Sequence, residues 1–118
     1  MGHKDMKISV LGTEYTIVWV VHDPAMGEVG GTCDRVTKTI KLVDMSTVPE
    51  WCDESEEVRS AQEKACLRHE LIHAYLNESG LQWNSCSTDA WATNEEMVDW
   101  FAIQFPKIHK SFEETGCL

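Results

Sequence analysis

Residues 69 to 73 read His69-Glu70-Leu71-Ile72-His73, and this string constrains the fold more than any other part of the chain. Residues four apart share one face of an α-helix, so His69 and His73 can serve one point together if the segment is helical. The surroundings agree. Ala65, Cys66, Leu67 and Leu76 are apolar, and no proline intervenes. Asp53 or Ser55 can cap the amino end, where Glu54, Glu56 and Glu57 add favourable negative charge. Gly80 supplies a left-handed stop, and Leu81 its customary hydrophobic contact. The pattern predicts a helix from about Glu56 to Asn77.

Upstream the chain reads as strands. Lys7 to Leu11 and the β-branched, aromatic stretch Tyr15 to Val21 flank a turn signal at Gly12-Thr13, which predicts a hairpin. His22-Asp23-Pro24 and Gly27 to Gly31 have loop chemistry. Val36 to Val43 gives a third strand, and Asp44 to Asp53 a loop. Downstream, Gln82 to Trp91 reads as loop. Thr93-Asn94-Glu95-Glu96 fits a capping box for a second helix that runs to about Phe105 and closes at Pro106. Met97, Val98, Phe101, Ala102 and Phe105 are the residues expected to pack it on the first helix. A short turn and a frayed end follow. Strands before helices predict one α+β domain over residues 1–118, with an antiparallel or mixed sheet of about three strands.

Bulk properties remove several function classes. The formal net charge of -10 argues against non-specific nucleic-acid binding, which selects for surplus Lys and Arg. No apolar run approaches the length of a membrane span. The start, Met1 to Asp5, lacks the apolar core of a signal peptide, so a cytoplasmic location is expected. The five cysteines, at positions 33, 52, 66, 86 and 117, form no C-x-x-C pair. A structural zinc knuckle is therefore not expected, and free buried thiols are.

The H-E-x-x-H spacing carries a definite chemistry. Two imidazoles on one helix face can bind one ion, and Glu70 stands beside that ion without lying on the ligand line. There it can take a proton from an activated water and pass one to a leaving amine. The competing reading is two histidines on a partly buried face, satisfied by backbone or water. A catalytic zinc site needs a third protein ligand. Glu95 fits that role, with Asp99 four residues on to hold a ligand histidine's far nitrogen. Glu96 competes, but three residues after Thr93 it suits the capping box better. Mn²⁺, Co²⁺ or Ni²⁺ would suit the same donors as Zn²⁺.

H-E-x-x-H followed by Asn94-Glu95 and Asp99 resembles the gluzincin arrangement of zinc metallopeptidases. That resemblance implies zinc bound by His69, His73 and Glu95, catalysis by Glu70, and support from Asp99. Compact size and strands ahead of the motif helix look more like the ImmA/IrrE-type metallopeptidases of phages, mobile elements and bacteria. Glu95 and Phe101-Ala102 match that family's second helix, whereas Val98-Asp99 stands where it has Ala-Asn. The resemblance implies a protein or peptide substrate, with neither nucleic acid nor membrane as partner. A non-catalytic zinc-binding regulatory or interaction domain is the alternative, and Cys66, one turn before His69, is its candidate fourth ligand.

His22, His109, Tyr15 and Tyr75 are weaker candidates for stabilising an oxyanion; ordinary surface or boundary roles are the preferred reading. Trp83 and Trp91 lie between the two ligand helices, where they can line a substrate groove. Val36 to Val43 is a possible edge for an extended peptide.

Overall fold

Alternating burial builds the sheet. In β1 (Met6–Val10), Ile8 and Val10 are buried; in β2 (Thr13–Val20), Tyr15 and Ile17 are. A two-residue turn at Leu11-Gly12 joins them as the expected antiparallel hairpin. The computed structural model describes residues 3–27, 30–84 and 94–118. Within them the sheet has four strands rather than three, because Gly31–Asp34 forms β3, where loop chemistry is expected as far as Gly31 and no strand is predicted for Thr32 to Asp34. The strand expected over Val36–Val43 is shorter: β4 covers Thr39–Val43, and Val36 sits exposed in the β3–β4 turn.

The strand order is β1-β2-β4-β3, with β2 and β4 parallel and the other pairs antiparallel, so the sheet is mixed. One row of partners, Met6–Ile17–Ile40–Cys33, crosses all four strands and fixes which face looks inward. β4 is paired on both sides, so it is not the free edge the sequence suggests. Among the described strands the edges are β1 and β3.

α1 (Glu56–Glu78) lies on that inner face, with Leu67, Leu71, Ala74 and Tyr75 buried at helical spacing against Ile17, Ile40 and Leu42. Ser55 caps it by accepting from the Val58 amide, and Gly80, at φ 83°, ends it as expected. A four-residue helix, α2 (Leu81–Asn84), follows where a loop is predicted. The predicted loop beyond it, with Cys86, Trp91 and the Thr93 cap, lies outside the described residues.

α3 (Glu95–Thr115) departs most from expectation. Its cap is Asn94, whose side chain accepts from the Met97 amide. Pro106 lies inside it rather than closing it. A proline deletes one helical hydrogen bond, yet the following turns are held by tertiary contacts. Tyr75 donates to the Lys107 carbonyl and meets the Ser111 hydroxyl at 2.6 Å. Arg68 donates to the Cys117 carbonyl, and Ile108, Ser111, Thr115 and Cys117 are buried. The packing face is also rotated from the expected one: Trp100, Ile108 and Phe112 meet the core, while Phe101, Ala102 and Phe105 are exposed. No described helix is long and apolar enough to cross a membrane.

Candidate metal centre

The middle of α1 brings the motif together. The Nε2 atoms of His69 and His73 stand 3.2 Å apart, with the rings near perpendicular at 68°. Both histidines are exposed, whereas Glu70 between them is 7% exposed. One atom from each of the three lies within 4.8 Å of the others. Two imidazole nitrogens converging in this way suit a borderline ion such as Zn²⁺, with the Glu70 carboxylate beside them. The arrangement follows from local structure alone, since the i, i+4 relation needs only the helix.

Glu70 has the environment of a base. Burial pushes its carboxyl above the ordinary value, and the charges of His69 and His73 act in the opposite direction. A carboxylate raised toward neutrality is a better proton acceptor than a fully solvated one.

Two cavities meet at this residue. One, of about 590 Å³, is lined by Thr32, Cys33, Arg35, Glu70, His73 and Asn77 among others. The second, of about 360 Å³, includes Gly30, Gly31, Cys66, His69 and Glu70. Together they flank Glu70 along β3. The strand comes this close to α1 because its first residues lack side chains. A Cβ on Gly31 would lie 2.8 Å from the Lys41 carbonyl and 3.3 Å from Glu70 Cγ, and one on Gly30 would collide with Cys66 Sγ. The glycine pair was thus the signal for β3, although it reads as a turn.

The neighbouring thiols are poor nucleophiles. Burial, followed by the nearby Glu70 and Asp34 carboxylates, pushes Cys33 up to about 12. Burial and the Glu70 and Glu63 carboxylates also raise Cys66. A thiol raised in this way stays protonated near neutral pH. Cys66 lies outside the group formed by His69, Glu70 and His73.

The residues predicted on the second helix are placed differently. Glu95, Glu96 and Asp99 are exposed on α3, and none belongs to the group around His69. With Asn94 as cap, Glu96 is the second helical residue rather than the third, so the capping-box reason for preferring Glu95 is removed. The four-residue spacing of Glu95 and Asp99 within one helix is retained.

Three of the oxyanion candidates are engaged elsewhere: Tyr15 donates to Glu78 at 2.7 Å, Tyr75 is bound to α3, and His109 pairs with Glu113. At His22 the backbone amide, not the ring, donates to Thr47.

A second grouping escaped the sequence reading. His3 sits between Asp44 and Glu63, with Nδ1 3.0 Å from one carboxylate and Nε2 2.9 Å from the other. Glu63 is 4% exposed and also accepts from the Met45 amide. This cluster ties the chain start to α1, and its members are too far apart in sequence for any motif to announce it. Comparison with known proteins adds no relative: no family model, no curated protein and no solved structure matches the chain.

Proposed function

We propose that the chain is a zinc-dependent metallopeptidase that hydrolyses peptide bonds in a protein or peptide substrate, related in design to the small gluzincin and ImmA/IrrE-type enzymes. One observation carries the reading: two imidazole nitrogens converge beside a buried carboxylate with raised proton affinity, at the meeting of two cavities. His69 and His73 would hold the ion. Glu95 is proposed as the third ligand and Asp99 as the residue orienting a ligand imidazole. When bound, zinc would acidify water and polarise the scissile carbonyl. Glu70 receives the proton from the attacking water and returns it to the departing amine. The outer side of β3, unpaired by any described strand, offers backbone groups to an extended peptide lying along the two cavities. Strands ahead of the motif helix support the zincin-like reading, and a cytoplasmic location is proposed with it.

The test pairs elemental mass spectrometry with hydrolysis of fluorescein-labelled casein. Wild type should carry about one zinc per chain, as a single mononuclear site requires. Glu70→Gln should keep that zinc and lose cleavage by at least about a hundredfold, the usual scale for a positioned base. His69→Ala should lose both. Wild-type hydrolysis by the Glu70→Gln protein would remove the mechanism. Zinc retention without hydrolysis by wild type would shift the reading to a non-catalytic zinc-binding regulatory or interaction domain.

A further inference from the structure

The larger cavity carries one fixed cation at its wall, Arg35, together with the carboxylates of Asp34 and Glu70. Arg35 projects from the β3–β4 turn with its guanidinium carbon 4.3 Å from the centre of the Trp83 ring. Both residues are exposed, Trp83 by 63%. Arg35 lines the same cavity as Glu70 and His73. The chain has 20 acidic and 10 basic residues, and among the described residues only Lys7, Lys38 and Lys110 of the basic ones are ion-paired with a carboxylate. Among the described residues the Arg35 guanidinium has no hydrogen-bond or ion-pair partner. Arg59 and Arg68, by contrast, donate to the Glu54 and Cys117 carbonyls.

The nearest carboxylate along the chain, Asp34, lines the same cavity and is bonded through one oxygen to the turn. Asp34 Oδ1 accepts from the Val36 and Thr37 amides at 2.8 and 3.0 Å. Those bonds close the turn that carries Arg35. The same turn is tied to the sheet by the Thr16 amide, which donates to the Lys38 carbonyl at 2.9 Å, and by Lys38 binding Glu78. Arg35 is therefore a cation on an anchored turn, held over an aromatic face, with no donor engaged by the described residues. Contact with the ring restricts the side chain and leaves the edge of the guanidinium available, the arrangement suited to forked recognition of a carboxylate.

We infer that Arg35, supported by Trp83, is a specificity-determining subsite that binds a carboxylate of the peptide lying in the cleft. The inference rests on the peptidase reading for its substrate class. The carboxylate can belong to an acidic side chain or to a free carboxyl terminus, and both present the same two oxygens to the arginine.

The test uses the full zinc-loaded chain and reads binding separately from hydrolysis. Four peptides are titrated by NMR while the Arg35 side-chain and Trp83 indole signals are followed. They are acetyl-Ala-Ala-Glu-amide, its Gln counterpart, and acetyl-Ala-Ala-Ala as free acid and as amide. Binding of the Glu peptide about three- to tenfold tighter than the Gln peptide, as an exposed but preorganised pair allows, identifies a side-chain carboxylate. The same margin for the free acid over its amide identifies a chain end. In either case Arg35→Gln brings the pair to parity, and Arg35→Lys restores only part of the difference. Equal binding within both pairs, or no saturable shift at Arg35 and Trp83, overturns the inference even if casein is cleaved. A preference for acid without casein cleavage keeps the subsite and removes the hydrolase reading.

Discussion

Glu78, in the last turn of α1, holds its carboxylate between Tyr15 of β2 and Lys38 of the β3–β4 turn, at 2.7 and 2.8 Å. Burial alone would raise its carboxyl, but bonds from Lys38, Tyr15 and Thr13 outweigh that effect and hold it below the ordinary range. A carboxyl depressed on folding contributes stability above its unfolded pKa, about 4.3. That contribution is lost as pH falls through the lower, folded value. Glu78→Gln should therefore cost about 1 kcal/mol at neutral pH. Urea denaturation should show the gap to wild type narrowing below about pH 4. A gap unchanged between pH 7 and 3.5 would take the acid sensitivity away from this residue. The network was illegible beforehand because its partners lie 63 and 40 residues away in the chain. His69, Glu70 and His73 were legible for the opposite reason: a single helix suffices to assemble them.

At the scale of elements, local pattern succeeded where one face of a strand or helix is buried and failed where a neighbouring element decides. The hairpin and α1 follow from alternation and helical spacing. β3 was missed because Gly30 and Gly31 have no strand-forming side chains; the close approach of Cys66 and Glu70 demands their absence. α3 was cut short at Pro106 because the proline's missing donor is visible in sequence, whereas the burial of Ile108, Ser111 and Thr115 is not. Its packing face was misread for the same reason. Phe101 and Phe105 are the more hydrophobic choice, yet Phe105 is 55% exposed and Ile108 only 2%. Ile108→Ala should accordingly cost about 2–5 kcal/mol, and Phe105→Ala no more than about 0.5 kcal/mol. Equal losses in chemical denaturation would mean that α3 packs through the other face.

For the whole molecule, the proposed metal site joins parts of the chain that otherwise meet mainly through packing. His69 and His73 belong to α1, which lies against β3 and β4, whereas Glu95 opens α3, which packs on β1 and α1. An ion held only by the α1 pair has two protein ligands and binds correspondingly weakly. An ion that also engages Glu95 links α3 to α1, and that linkage favours the folded chain over the unfolded one. Free zinc at a hundred times its dissociation constant stabilises a single native site by about 2.7 kcal/mol, less any binding to unfolded His and Cys. For a domain of this size that corresponds to a rise in Tm of roughly 10 °C. Wild type should show the rise and lose it on chelation, and His69→Ala should show none. Glu95→Ala should need a higher zinc concentration to reach the same Tm. If Glu95→Ala responds to zinc at wild-type concentrations, the third ligand is another residue, with Glu96 the next to replace. If wild type does not respond at all, His69 and His73 are not a metal pair, and their convergence beside Glu70 is a property of helix geometry alone.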